Sequence, residues 1–152
     1  MPSIFEKLNL KDQKQIVVLG APESFEHELS VLRSIIVLRD VHNLNEIEFS
    51  LAFVTKQTEV DICAKAIAKK AKGDAVVWFA YPKGTSKKYK SEINRDHGWK
   101  ILGDLGFEGV RGVAIDGDWS AIRFRRVEFI KNMKRDMKGA MTRQGRVRVR
   151  QG

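Results

Sequence analysis

The chain has 152 residues, 43% of them hydrophobic and 31% charged, which suits one globular domain with its own core. No apolar run approaches the roughly 18 residues of a membrane span, and a single cysteine, Cys63, excludes an internal disulfide framework and fits a reducing compartment. The net charge of +9 is uneven: from Lys131 onward eight basic residues face one acid, Asp136, so that segment carries +7 and residues 1–130 only +2.

Met1 to Leu10 lacks the basic and apolar regions of a secretory signal. Ser3-Ile4-Phe5-Glu6 instead reads as a capping box opening a short helix, with Phe5 and Leu8 facing inward. Gln15 to Leu19 is an apolar strand closed by Gly20-Ala21-Pro22. Phe25, Leu29 and Leu32 then recur at helical spacing and predict a helix from about Pro22 to Leu32. Ile35 to Leu38 predicts a second strand, Asp40 to Asn45 a polar break, and Ile47 to Val54 a third strand.

Thr58 is the expected cap of the next helix, whose inner face is Val60, Cys63, Ile67 and Ala71 and whose stop is Gly73. Ala75 to Tyr81 is apolar on both faces, as a central parallel strand requires. A lysine-rich loop runs from Pro82 to Ser91. Asn94 is the expected cap of a helix with inner residues Trp99, Leu102 and Leu105, ended by Gly106, and His97 falls in its first turn. Val110 to Ile115 and Trp119 to Val127 form a hairpin around Asp116-Gly117-Asp118. The sum is a three-layer α/β, Rossmann-like, mainly parallel sheet of about six strands ending in an antiparallel hairpin. Only about eight residues separate the second and third strands, short for a parallel crossover; a bare loop running back across the sheet is expected there.

This order looks like a methyltransferase-type Rossmann fold shortened by one helix and one strand. Four strings are more specific: Val18-Leu19-Gly20-Ala21-Pro22-Glu23, Leu51-Ala52-Phe53-Val54-Thr55, Val77-Trp78-Phe79-Ala80-Tyr81-Pro82-Lys83 and Asp118-Trp119-Ser120-Ala121-Ile122-Arg123-Phe124. Together they resemble a family of small uncharacterised bacterial proteins, domain of unknown function 3052, over roughly residues 15–126. The resemblance implies the fold and carries no established activity.

The turn after the first strand holds one glycine, where a dinucleotide fingerprint needs several. Glu23, Glu26 and Glu28 follow it and would repel a phosphate. No cofactor is therefore expected. Gly20, Ala21, Asp40, Thr55, Tyr81 and Pro82 are the candidates for a small-molecule pocket at the carboxyl ends of the strands, where open α/β sheets bind ligands. Asp40 equally suits a solvated turn. His27, His42 and His97 have no metal-ligand spacing, Cys63 lies on an apolar helix face, and no nucleophile pattern is present. No catalytic or metal-binding residue is assigned, and the balance leans away from an enzyme.

Basic residues mark a second kind of candidate. Lys83, Lys87, Lys88 and Lys90, with Tyr89 among them and Arg95 after, could contact phosphates and stack on a base. Residues 131–152 read as a separate basic helix and tail: Ile130, Met133, Met137 and Met141 form a stripe, and Arg143, Arg146, Arg148 and Arg150 end the chain. The expectation is a cytoplasmic, non-catalytic binding module for a polyanion such as RNA, or for a protein partner, through that tail. A homodimer is open and a membrane partner is not expected. The alternative is a small-molecule-binding or degenerate S-adenosylmethionine-dependent methyltransferase-like enzyme.

Overall fold

A computed structural model describes residues 3–130. The Met-stripe helix and the Arg143–Arg150 segment expected above lie outside these residues. Within them, Ile4–Lys7 (α1) precedes strand Gln15–Leu19 (β1), a 3-10 turn at Glu23–Phe25, helix Glu26–Ser30 (α2) and strand Ile36–Leu38 (β2). Strand Ile47–Phe53 (β3), helix Gln57–Lys70 (α3), strand Ala71–Pro82 (β4), helix Lys100–Asp104 (α4) and strands Phe107–Ala114 (β5) and Trp119–Arg126 (β6) complete the fold.

The strands form one sheet in the order β2-β1-β3-β4-β6-β5. β1 pairs in parallel with both β2 and β3, and β3 with β4. β6 runs antiparallel to β4 and to β5. The connection expected to be a bare loop is one: β2 and β3 flank β1 on opposite sides, so residues 39–46 pass across the sheet without helix or strand. Buried Leu44 pins that loop to the core, and the Lys70 ammonium donates to the Val41 carbonyl.

Alternation along β1 divides the core. Val17 faces a cluster with Val60, Ala64 and Ile67 of α3, Val77, Phe79, Trp99, Leu102 and Phe124. Ile16 and Val18 face the other cluster, with Ile4, Phe5 and Leu8 near α1, Phe25 and Leu29 near α2, Phe49, Phe53, Trp78 and Trp119. Trp78 is fully buried there, and its indole N–H donates to the Leu8 carbonyl at 2.7 Å, tying the first helix to the centre of the sheet.

Four local expectations change. The helix expected over residues 22–32 is a 3-10 turn plus five residues, because Pro22 is extended and Ser34 takes a positive φ of 60° soon after. Thr58 does not cap α3. The carboxylate of Glu59 reaches back instead, accepting the N–H groups of Thr55 (2.8 Å) and Lys56 (3.0 Å) and the Thr55 hydroxyl (3.1 Å). α3 ends at Lys70 rather than Gly73, and the Arg126 guanidinium donates to the carbonyls of Ala68 and Ala71 at that end. Asn94 closes a turn with His97, its side chain accepting the Asp96 N–H at 2.9 Å, so His97 precedes the shorter α4 instead of lying in its first turn. Gly98 serves that turn: φ is +109°, and a Cβ there would lie 1.9 Å from the Ile93 side chain.

Candidate functional site at the carboxyl edge

The parallel strands all end on one edge, and two later segments cover it: the loop after β4, and the turn between β5 and β6. The loop is stitched to that turn. Lys83 N–H donates to the Asp118 carbonyl at 2.8 Å, and the Ser86 hydroxyl donates to the Asp118 carboxylate at 2.8 Å. The Ser86 hydroxyl in turn accepts the N–H groups of Lys88 and Tyr89 at 3.3 and 3.2 Å. Further on, Glu92 N–H donates to the Thr55 carbonyl and its carboxylate accepts the Gln57 N–H, fastening the loop to the start of α3.

Beneath the loop runs a chain of rings. Phe25 and Phe53 lie 4.9 Å apart, Phe53 and Trp119 5.1 Å, and Trp119 and Tyr89 4.9 Å between centroids. Tyr89 is half-buried while Lys87, Lys88 and Lys90 around it are exposed. Trp119 is only 3% exposed, yet its indole N–H has no hydrogen-bond partner among the described residues. A buried N–H without an acceptor costs about 1–3 kcal/mol; the Ser50 hydroxyl and the Arg123 Nε are also buried without a partner among the described residues, and of the three Trp119 is the one in the ring row at the carboxyl edge.

The small-molecule candidates are placed unevenly. Gly20 has φ +67°, and a Cβ on it would sit 2.9 Å from the Phe53 carbonyl oxygen, so its missing side chain accommodates the β3 backbone. Ala21 packs against the Phe25 cluster. The Asp40 carboxylate accepts the His42 N–H at 3.0 Å, a local turn beyond β2. Beside that turn, Arg39 and Glu26 form a two-point ion pair (2.8 and 2.7 Å) between β2 and α2, and the hydrogen bond from Arg39 holds the Glu26 carboxyl below its ordinary range.

Thr55, Tyr81 and Pro82 do come together at the loop. The Thr55 hydroxyl is engaged by Glu59, and burial opposes ionisation of that carboxyl. The N–H groups of Thr55 and Lys56 outweigh burial and keep its pKa low. Tyr81 turns to the α3 side, 5.8 Å from Trp99. Pro82 is buried opposite Trp119. Among the basic candidates, Lys87, Lys88 and Lys90 are exposed and make no ion pair among the described residues, whereas Arg95 lies 3.4 Å from Asp96. Burial raises the Cys63 thiol above its ordinary value, with Glu59 adding to the effect. The described residues contain no group of three His, Cys, Asp or Glu side chains fit to hold a metal ion, and no helix among them is long and apolar enough to cross a membrane.

Trp119 and Phe53 escape sequence reasoning because an apolar ring in a strand reads as core. Only the missing acceptor separates Trp119 from its neighbours, and that is a property of the folded chain. A wider cleft of about 1070 Å³ opens elsewhere, between α3, α4 and the hairpin. Its acids are largely satisfied from within, Asp61 by the Gln57 amide, Asp96 by Arg95 and Asp104 by Lys100.

No family model and no curated protein sequence matches the chain. Solved structures do share its fold. A SAM-dependent methyltransferase from Aquifex aeolicus is similar at 14% identity, over 82% of this chain and 88% of that one, with a TM-score of 0.57. The N-methyltransferase NodS from Bradyrhizobium japonicum follows at 12%, 81% and 92%, with 0.54. Fibrillarin of Methanococcus jannaschii, described as a pre-rRNA processing protein, gives 17%, 76% and 67%, with 0.52. At such identities the likeness is one of fold: the chain has the methyltransferase-type Rossmann-like architecture.

Proposed function

We propose that this domain binds a small molecule with a planar, hydrogen-bond-accepting ring at the carboxyl edge of a reduced methyltransferase-type fold. The orphan N–H of Trp119, buried in a row of aromatic rings at that edge, carries the reading. Aromatic walls with a few placed polar groups are the usual composition of such sites. S-adenosylmethionine is the first probe, because the fold's neighbours include methyltransferases described as dependent on it.

The ends of β1 and β2 do not fit the rest of such a cofactor. Gly20 is taken up by the Phe53 carbonyl and Asp40 by its own turn. The function proposed is therefore binding, without methyl transfer. Membership in the small bacterial family of unknown function rests on the four strings quoted above, and a cytoplasmic setting on the single, half-buried Cys63.

Calorimetric titration with S-adenosylmethionine, S-adenosylhomocysteine and adenosine tests the reading, run on the wild type and Trp119→Phe. Heat from at least one compound is expected, with affinity weakened roughly three- to tenfold in the variant, the worth of one hydrogen bond. No heat from any of them contradicts it.

A second reading rests on a separate observation, the exposed lysines at 87, 88 and 90 on the same loop, which make no ion pair among the described residues. They suit a phosphate backbone, as the likeness to an RNA-processing protein also suggests. RNA binding that weakens with salt, and less steeply once all three lysines are replaced by glutamate, would support it; no binding at low salt removes it.

A further inference from the structure

We infer that the loop of residues 83–91 is a lid and that Tyr89 is its built-in plug, occupying the ring subsite of the proposed ligand. The inference rests on the binding reading above for the ligand, and on the loop's own bonding for the movement.

The loop's two ends are fixed and its middle is not. Lys83 N–H is held by the Asp118 carbonyl and Glu92 N–H by the Thr55 carbonyl. Between them, residues 87–91 make no backbone-to-backbone hydrogen bond among the described residues. At the far end the Ser91 hydroxyl donates to the carbonyls of Thr55 and Ile93, and the middle, residues 87–90, is held by one junction, the Ser86 hydroxyl, which donates to the Asp118 carboxylate and accepts the N–H groups of Lys88 and Tyr89. Its other hold is the Tyr89 ring on Trp119, 4.9 Å between centroids. Releasing Tyr89 therefore breaks a side-chain latch and one ring contact, and leaves every strand and helix intact.

The closed lid is an imperfect occupant. Tyr89 supplies a ring surface to Trp119 and no acceptor for its N–H. A planar molecule with a ring nitrogen or carbonyl at its edge would supply both, so ligand and Tyr89 compete for one place. A competitor inside the protein lowers apparent affinity by the fraction of time it is bound. The occupant is thus a heteroaromatic ring rather than a purely apolar one.

The three tryptophan indoles give the test without any ligand. Those of Trp78 and Trp99 donate to the carbonyls of Leu8 and Asn94 and serve as controls for the fold. Hydrogen exchange of each indole N–H is followed by NMR in the wild type, Ser86→Ala and Asp118→Ala, with adenosine and S-adenosylmethionine affinities measured for the wild type and Tyr89→Ala. The expected result is at least tenfold faster exchange at Trp119 alone in both latch variants, and at least tenfold tighter binding to Tyr89→Ala. Unchanged exchange at Trp119 overturns the lid. Faster exchange with equal affinities overturns the competition by Tyr89. Faster exchange with no ligand bound by either protein keeps the lid and overturns the binding reading instead.

Discussion

Two tryptophans sit near the same end of the sheet, on opposite faces. Trp99, on the α3 side, packs among Phe79, Tyr81 and Phe124 at 5.3–5.8 Å and donates its N–H to the Asn94 carbonyl at 2.8 Å. Trp119, on the α2 side, packs among Phe53 and Tyr89 at similar distances and donates to nothing among the described residues. Both are at least 95% buried. Ring packing alone would make both structural. The difference lies in the polar atoms: one indole N–H has its acceptor within the fold, and the other has none among the described residues.

The largest effect expected is at Gly20, on the Trp119 side. Gly20→Ala forces a side chain into a left-handed φ and against the Phe53 carbonyl, and should destabilise the domain by about 2 kcal/mol or more, read by urea unfolding. A substitution without effect would mean that the β1 and β3 ends are looser than the ring row requires.

The two rings can next be compared directly. Trp99→Phe and Trp119→Phe remove the same volume, so the difference between them isolates the hydrogen bond. Trp99→Phe should cost about 1–2 kcal/mol more than Trp119→Phe. Equal losses in denaturant melts would show that Trp119 has an acceptor after all.

The smallest effect concerns the anchor of α3 on the Trp99 side. Glu59 titrates below its ordinary value, so its contribution is present above the unfolded carboxyl pKa of about 4.3 and lost as pH falls through the lower folded value. The stability gap between wild type and Glu59→Gln should therefore close below about pH 4 in melts taken from pH 7 downward. A gap independent of pH would assign the loss to packing.

The sheet was legible because its strands are strongly patterned. Ile16 to Leu19 and Ala75 to Tyr81 are apolar without interruption, and Asp116-Gly117-Asp118 announces its hairpin. The bare crossover followed from a count of residues between strands. Helix caps were less legible, since Glu59 reaches back to a cap that Thr58 could equally have supplied. His97 left its expected helix because the Asn94 side chain prefers to close its own turn. The placement of Tyr81, Pro82 and the lysine loop at the carboxyl end of β4 was legible from the strand pattern. The Ser86–Asp118 latch was not, as it joins residues far apart in sequence. Nor was the state of the Trp119 N–H, which depends on an acceptor failing to arrive.

The most direct test follows the three indole N–H signals by NMR while S-adenosylmethionine or adenosine is added to the intact chain. The account predicts that the Trp119 signal shifts on saturation as its N–H gains an acceptor, while those of Trp78 and Trp99, already bonded to Leu8 and Asn94, hold their positions. A Trp119 signal that stays in place through both titrations would contradict it.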